Sequence, residues 1–379
     1  MHVVLLARKT LYTQPGGDTV QVEETASALR SYGHEATIIT AGQPLPLSAT
    51  VLHGFNLGRP ADLLPYFKSF KGKKILSSIY VDYSLADKQR FPRLYALVGK
   101  HGLEYVKTLG RALNGSDRFP GILFLLHGQK SCVRALIKLT DLLITSSKSE
   151  EQRIESDFGD LSCAVKTVPL GIEASFLAPF EQRQKREGLL LLGRLEWLKN
   201  QKTIINWATE NNWPLTVVGD ANANQKTYYH DCLDQAGSSV SFLPYTAGDE
   251  LKRLLRSHRA LIIPSHFESF SLVGWEAASQ GMHVLYNDVA DMNETLAPVG
   301  TPIQIEDKAS AVPVITAALN GNLAQKKSHD LLESRSWDFF CSKFPLRAAV
   351  IAVTALALSS IWIGMPTGAR VSFMSATSL

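Results

Sequence analysis

The stretch ALIIPSHFESFSLVGWEAASQGMHVLYND, Ala260 to Asp288, holds the fold of the chain in miniature. "ALIIPS" is a short apolar run of the kind a strand buried on both faces requires. "SLVGWEAASQG" has helical spacing and stops at Gly281, and "HVLYND" is apolar again. Strand, loop, helix and strand in this order form a βαβ unit, which demands a parallel sheet with helices packed on its faces.

The same alternation continues outward. Upstream, "LLLLGRL" and "PLTVVGD" read as strands, and "QKTIINWATEN" and "GDELKRLLRSH" as helices. At the N-terminus, "HVVLLA" is a strand, "TQPGGDT" a glycine turn, "VQVEETASALRSYG" a helix and "EATIIT" a second strand. "TVLHGF", "KKILSSIY", "DLLITSS" and "AVKTVPLG" add further strands, with a long helical region before the third of them. Between Gly171 and Gly188 the chain is polar and contains Pro179, which separates the two sets. The expectation is α/β: two Rossmann-like, doubly wound domains facing across a cleft, over 1–172 and 173–335, followed by a terminal segment 336–379. A chain of 379 residues suits two domains better than one core.

Composition narrows the function. The net charge is only +4, and the basic residues are scattered, with no run that would track a nucleic acid. Cys132, Cys163, Cys232 and Cys341 lie far apart without a CxxC, which argues against zinc and fits a reduced, cytoplasmic protein. "MHVVLLARKT" reads as a first strand rather than a leader. From Ala348 to Met365, eighteen residues pass without a charge, the lower limit for a membrane span. That run has no polar face, so two readings stay open. Either the tail associates with or spans a membrane through 346–365, placing the protein at its inner face, or the terminus is atypical.

In open α/β sheets ligands gather where strands end and loops run into helices. Three such loops carry suitable residues. In "PGGDT", Gly16 and Gly17 would let the backbone approach a ligand at a helix N-terminus, although a simple turn capped by Asp18 or Thr19 also fits. The loop is neither GxGxxG nor a P-loop, which disfavours dinucleotide binding and Walker-type hydrolysis. In "LLLLGRLEWLKNQ", Arg194 and Lys199 could clamp a phosphate pair, the alternative being solvated cations beside Glu196. In the opening stretch, Glu268 lies in the loop after the strand. The amides of Phe270, Ser271, Leu272 and Val273 would form an anion site at the helix start, and Glu276 sits about one turn inside. A carboxylate there can accept both hydrogen bonds of a cis-diol such as ribose. An acidic first turn favoured by the helix dipole explains one glutamate, but not the companion cations.

Together these motifs resemble the retaining family-4 glycosyltransferases of the GT-B fold. That family carries Gly-Arg-x4-Lys, then Pro-Ser-x2-Glu-x-Phe-Gly-Leu-x3-Glu-Ala-x3-Gly; "GRLEWLKNQ" and "PSHFESFSLVGWEAASQG" stand here in the same order. "GGDTVQ", "DLLITSSKSEEQRI", "VPLGIE" and "SRSWD" are similar to other segments of the family, so the resemblance runs over roughly residues 1 to 340. It implies a nucleoside-diphosphate-sugar donor on the C-terminal domain and a glycan or lipid-linked saccharide acceptor on the N-terminal one, without cofactor or metal. By motif position Arg194 and Lys199 would hold the diphosphate, Glu276 the ribose and Glu268 the transferred sugar. Gly16 and Gly17 would approach phosphate or acceptor. Ser271 and Leu170 depart from the family's glycine and asparagine. On the acceptor side His53, Tyr80 and Asp82 stay open as candidates, while His127 reads as an ordinary helical histidine. A nucleotide-sugar epimerase and a non-catalytic scaffold of the same fold remain as alternatives.

Overall fold

The computed structural model describes residues 1–115, 117–178, 185–221 and 225–323. "SRSWD" and the uncharged run 348–365 lie outside the described residues.

Met1–Phe340 groups as one compact unit. Its N-terminal lobe runs β1 (His2–Ala7), α1 (Gly17–Ser31), β2 (Glu35–Thr40), β3 (Val51–Phe55), α2 (Pro60–Ser69), β4 (Lys73–Ser77), α3 (Ser84–Arg90), α4 (Pro92–Leu113), α5 (Ile122–Leu139), β5 (Leu142–Thr145), α6 (Lys148–Phe158) and β6 (Ala164–Thr167). The six strands form one parallel sheet in the order β2-β1-β3-β4-β5-β6. The short helix α7 (Ala174–Leu177) lies on the crossing to the second lobe.

That lobe runs β7 (Leu189–Leu192), α8 (Gln201–Glu210), β8 (Leu215–Val218), α9 (Lys226–Asp234), β9 (Val240–Leu243), α10 (Gly248–Ser257), β10 (Ala260–Ile263), α11 (Leu272–Ser279), β11 (His283–Asn287), α12 (Ala290–Leu296), β12 (Gly300–Ile303) and α13 (Lys308–Leu319). Its strands are also parallel, in the order β12-β11-β10-β7-β8-β9. The central strands are buried end to end, as in Val3–Ala7 and Leu189–Leu191, because helices cover both faces. Apolar cores fill each lobe, one around Leu52, Phe67 and Leu136 and the other around Ile204, Trp207 and Ile262.

Each winding has a point where the strand order reverses, between β1 and β3 in the first sheet and between β7 and β10 in the second. Ligands bind at such points, because the loops leaving the two adjacent strands turn to opposite faces and open a crevice. In the second lobe Ala260 pairs with Leu189 and Leu261 with Leu190. The loops after β7 and β10 therefore emerge side by side, although about seventy residues separate them.

The lobes are joined through α6 and α12. The Arg153 guanidinium donates to both carboxylate oxygens of Asp291, at 2.7 and 2.8 Å, and to the Tyr80 carbonyl at 3.0 Å. The Glu294 carboxylate accepts from the Lys148 and Ser149 amides, capping the free N–H groups at the start of α6. No described helix is long and apolar enough to cross a membrane.

Candidate functional site

The loop after β7 turns sharply because Gly193 and Gly219 both take left-handed backbone, at φ 136° and 143°. A Cβ on Gly219 would stand 2.1 Å from the Gly193 carbonyl oxygen, so the ends of β7 and β8 approach as only glycine permits. From this turn the chain enters a 3-10 turn, Trp197–Lys199, and Asn200 in left-handed backbone leads it into α8. The Gln201 side-chain amide donates to the Arg194 carbonyl at 2.8 Å and holds the loop back on the helix.

The loop after β10 is stitched to it. The His266 amide donates to the Leu198 carbonyl at 2.9 Å, and the His266 and Trp197 rings stack with centroids 4.4 Å apart. Lys199 Nζ donates to Glu268 Oε1 at 2.9 Å, while the Ser265 hydroxyl donates to Oε2 of the same carboxylate at 3.2 Å. Asn287 from β11 fixes the Ser265 carbonyl at 3.1 Å. Arg194 is half exposed, with Nη2 3.5 Å from the Glu196 carboxylate, so its guanidinium is free to turn toward a ligand.

Helix α11 starts beside these groups. Ser271 is its N-cap, but its hydroxyl makes no capping bond. The first N–H groups of the helix thus stay available for an anion. The helix is anchored by buried Trp275, whose indole N–H donates to the Thr295 carbonyl at 3.0 Å. A Cβ at Gly274 would lie 2.6 Å from Leu296, so α11 packs tightly on α12. Glu276 is one turn in. Burial, with Glu173 adding like charge, pushes its carboxyl up to about 7. Glu173 belongs to the crossing between lobes, and the Gln280 amide at the end of α11 donates to the Phe176 carbonyl of α7.

The sequence-predicted residues thus divide. Arg194, Lys199, Glu268, the Phe270–Val273 backbone and Glu276 come from two adjacent loops and the helix that follows. Gly16 and Gly17 lie at the start of α1 in the other lobe. Neither has left-handed backbone, and a Cβ at Gly17 would meet nothing within 4 Å. What shapes that loop is Arg8, which is buried. Its guanidinium pairs with Asp18 at 2.5 Å and donates to the Thr10 and Gln14 carbonyls at 2.8 and 2.6 Å.

The acceptor-side candidates are corrected in part. His53 sits in the middle of β3, buried, bonded to the Ser77 hydroxyl at 2.9 Å and stacked on Phe55. Burial alone drives its pKa down to about 3, so it is a neutral core residue. The Tyr80 hydroxyl is occupied by Asp157 at 2.6 Å. Asp82 is partly exposed and lies 3.4 Å from Lys100 Nζ. His127 is exposed on α5. Tyr83, not singled out in the sequence, is better placed than these. It is 43% exposed, and burial, then Glu196 and Glu104, raise its pKa. That puts it within electrostatic reach of the Arg194–Glu196 loop from the opposite lobe. Ser265, Trp197 and His266 were also missed, since their role is to join two loops distant in sequence.

Beyond the geometry, residues 176–331 match the model of the family Glycosyl transferases group 1. The C-terminal lobe is similar to the group 1 glycosyltransferases over that span. Among relatives, the glycogen synthase of Mycobacterium tuberculosis is 28% identical over 207 residues, 51% of this chain and 49% of that protein. The chain therefore spans about half the length of that curated relative. Sucrose-phosphate synthase from Thermosynechococcus elongatus superposes with a TM-score of 0.67 at 12% identity, over 94% of this chain and 100% of that one. Anabaena Alr3699/HepE, solved in complex with UDP and glucose, gives 0.64 at 13% identity over 92% and 99%. At such identities the likeness is one of fold. The architecture of the chain is GT-B, with two Rossmann-like sheets in one compact unit.

Proposed function

We propose that the protein transfers a glycosyl group from a nucleoside-diphosphate sugar to a hydroxyl acceptor, with retention at the anomeric carbon. The observation that carries this reading is the convergence at the second switch point: Arg194 and Lys199 from one loop, Glu268 from the next, and the uncapped start of α11. Two cations and a row of helix amides suit a diphosphate, and carboxylates suit sugar hydroxyls. UDP and glucose in the similar Alr3699/HepE support the substrate class.

In this mechanism the α11 amides and Arg194 take the diphosphate, and Glu276 accepts hydrogen bonds from the ribose diol. Lys199 is already neutralised by Glu268 before donor arrives. When the diphosphate enters, Lys199 is shared between it and Glu268, and the Glu268 oxygen released from the pair accepts from a hydroxyl of the transferred sugar. As the anomeric carbon–oxygen bond lengthens, charge grows on the diphosphate, where these groups stabilise it. The acceptor oxygen attacks from the side of the departing phosphate and passes its proton to it, so the reaction uses no protein base. A cavity of about 550 Å³ bordered by Gly219, Asp220, Tyr229 and Pro244, at the ends of β8 and β9, is the place we assign to the nucleobase. The acceptor we favour is a saccharide or lipid-linked saccharide at the inner face of a membrane.

The test is a melting-temperature screen against UDP-, GDP-, ADP- and dTDP-sugars, since a ligand that binds only the folded state raises Tm. The stabilising donor is then followed by NMR with and without acceptor mixtures. Transfer with retained configuration supports the reading. Epimerised sugar from donor alone, or no stabilisation by any donor, overturns it.

A further inference from the structure

The region between β4 and β5 is unusual in what it leaves in water. Helix α4 has 22 residues, yet only Leu103 and Thr108 are buried. A helix in a globular lobe ordinarily hides an apolar stripe. Here the helix is broken at Gly99, and large apolar side chains face water on both sides of the break: Leu97 is 82% exposed and Leu113 77%, with Val106 also exposed. Helix α5 begins the same way, with Ile122 at 69% and Leu126 at 73%, and exposed Phe119 lies just before it. The two helices are neighbours. Tyr105 of α4 donates to the Leu125 carbonyl at 3.1 Å and stacks on Phe124 of α5. Single exposed leucines are ordinary, but five large apolar side chains on two packed helices, with Phe119 beside them, are not.

The charge of this region is equally lopsided. Residues 84–130 carry eight Lys or Arg against three Asp or Glu, whereas the rest of the chain carries 31 against 32. All of the excess positive charge of the protein is therefore here. The three acids are turned inward, Asp87 and Glu104 onto Lys107 and Asp117 onto Arg59 and Arg111. Lys88, Arg90, Arg93 and Arg118 stand exposed.

From this we infer that α4 and the start of α5 form a docking surface for an anionic lipid bilayer, lying in its interface without crossing it. Exposed Leu, Ile and Phe would enter the headgroup–acyl boundary while the cations meet lipid phosphates, the pattern of interfacial helices. A second copy of the chain is the weaker occupant, because a two-fold contact would set this positive face against itself. The inference builds on the membrane part of the reading above and is independent of the reaction.

The test is flotation of the full chain with vesicles of phosphatidylcholine, alone or mixed with phosphatidylglycerol. Compared with wild type are an apolar-face variant (Leu97→Gln, Leu113→Gln, Ile122→Gln, Leu126→Gln) and a charge variant (Lys88→Gln, Arg90→Gln, Arg93→Gln). Unchanged melting temperatures confirm that both variants fold. The expected result is wild-type binding to the anionic mixture only, reduced by about tenfold or more in the apolar-face variant and severalfold in the charge variant. If both variants float like wild type, the bilayer is held elsewhere in the chain and this surface is wrong. If wild type does not float at all, the membrane reading falls with it, whereas donor stabilisation in the Tm screen is untouched. Concentration-dependent dimerisation that the apolar-face variant abolishes would assign the face to a second copy instead.

Discussion

Glu276 offers the sharpest quantitative check on the donor site. Its carboxyl is pushed up to about 7 by burial, with Glu173 contributing. To accept both hydrogen bonds of a ribose diol it must be ionised. With such a value the free protein holds it about nine-tenths ionised at pH 8 and about one-tenth ionised at pH 6. Apparent affinity scales with the competent fraction, so donor binding should weaken about tenfold, or about 1.4 kcal/mol, on going from pH 8 to pH 6. The diphosphate diester of a nucleotide sugar does not titrate in this range, so the change belongs to the protein. Binding at pH 6 should also release a proton, read by calorimetry in two buffers of different ionisation enthalpy. Glu276→Gln should bind roughly ten- to a hundredfold more weakly at pH 8, the worth of a hydrogen bond to a charged group, with no pH dependence. The same shift acts on stability. Because the folded value lies above that of the unfolded chain, ionisation costs the ligand-free protein stability, a cost absent below about pH 4.5 and complete above about 7. Glu276→Gln should therefore melt higher than wild type at pH 8, while binding donor worse. Wild-type affinity that is flat from pH 6 to 8, without proton release, would refute the assignment of an ionised Glu276 to the ribose.

Other groups give independent tests. Lys199→Ala should lower kcat by roughly a hundred- to a thousandfold, about 3 to 4 kcal/mol, because it removes one stabiliser and leaves Glu268 uncompensated beside the diphosphate. Adding Glu268→Gln should recover part of the donor affinity, and a double variant that binds no better than the single one would contradict the pairing. Arg153→Ala, which strands buried Asp291 between α6 and α12, should lower stability in urea by about 3 to 5 kcal/mol. Arg153→Met with Asp291→Leu should lose less, and equal losses would show that the ion pair is not what joins the helices. Asp62 is buried, its Oδ2 has no partner, and burial raises its pKa to about 6. Asp62→Asn should stabilise the protein at pH 8, by at most about 3 kcal/mol, an advantage that fades as pH falls through 6 toward 4. A Tm difference independent of pH would exclude that cause.

How far the sequence reaches is clearest from the strands that escaped it. Ten of the twelve described strands were legible, the eight central ones because a strand covered on both faces reads as a continuous apolar run. The two missed, β9 and β12, are the two edges of the second sheet. β9 is half exposed, and β12 contains Gly300 and Pro302, which an edge strand tolerates and a central one does not. Their sequences carry a weak burial signal, since β9 has no buried residue and β12 is buried only at its two ends. The domain alternation survived this loss, since it rests on the central strands.

The site divides along a similar line, and His53 shows where. It was a candidate because histidines do chemistry, yet it lies third of five residues in β3, paired between Leu5 and Ile75, where its side chain is enclosed by the core. Arg194, Lys199 and Glu268 stand past the ends of their strands, and Tyr83 stands past the end of β4. In a parallel sheet the crevice begins where the ladder stops, so distance beyond the last paired residue separates a cleft side chain from a core one better than residue type does. That rule could have demoted His53 from the strand assignments alone. It could not have found Arg8, Arg153 or Glu294. Their partners are set by how loops and helices pack in space, at separations of 10, 138 and 145 or more residues, and no spacing in the chain encodes them.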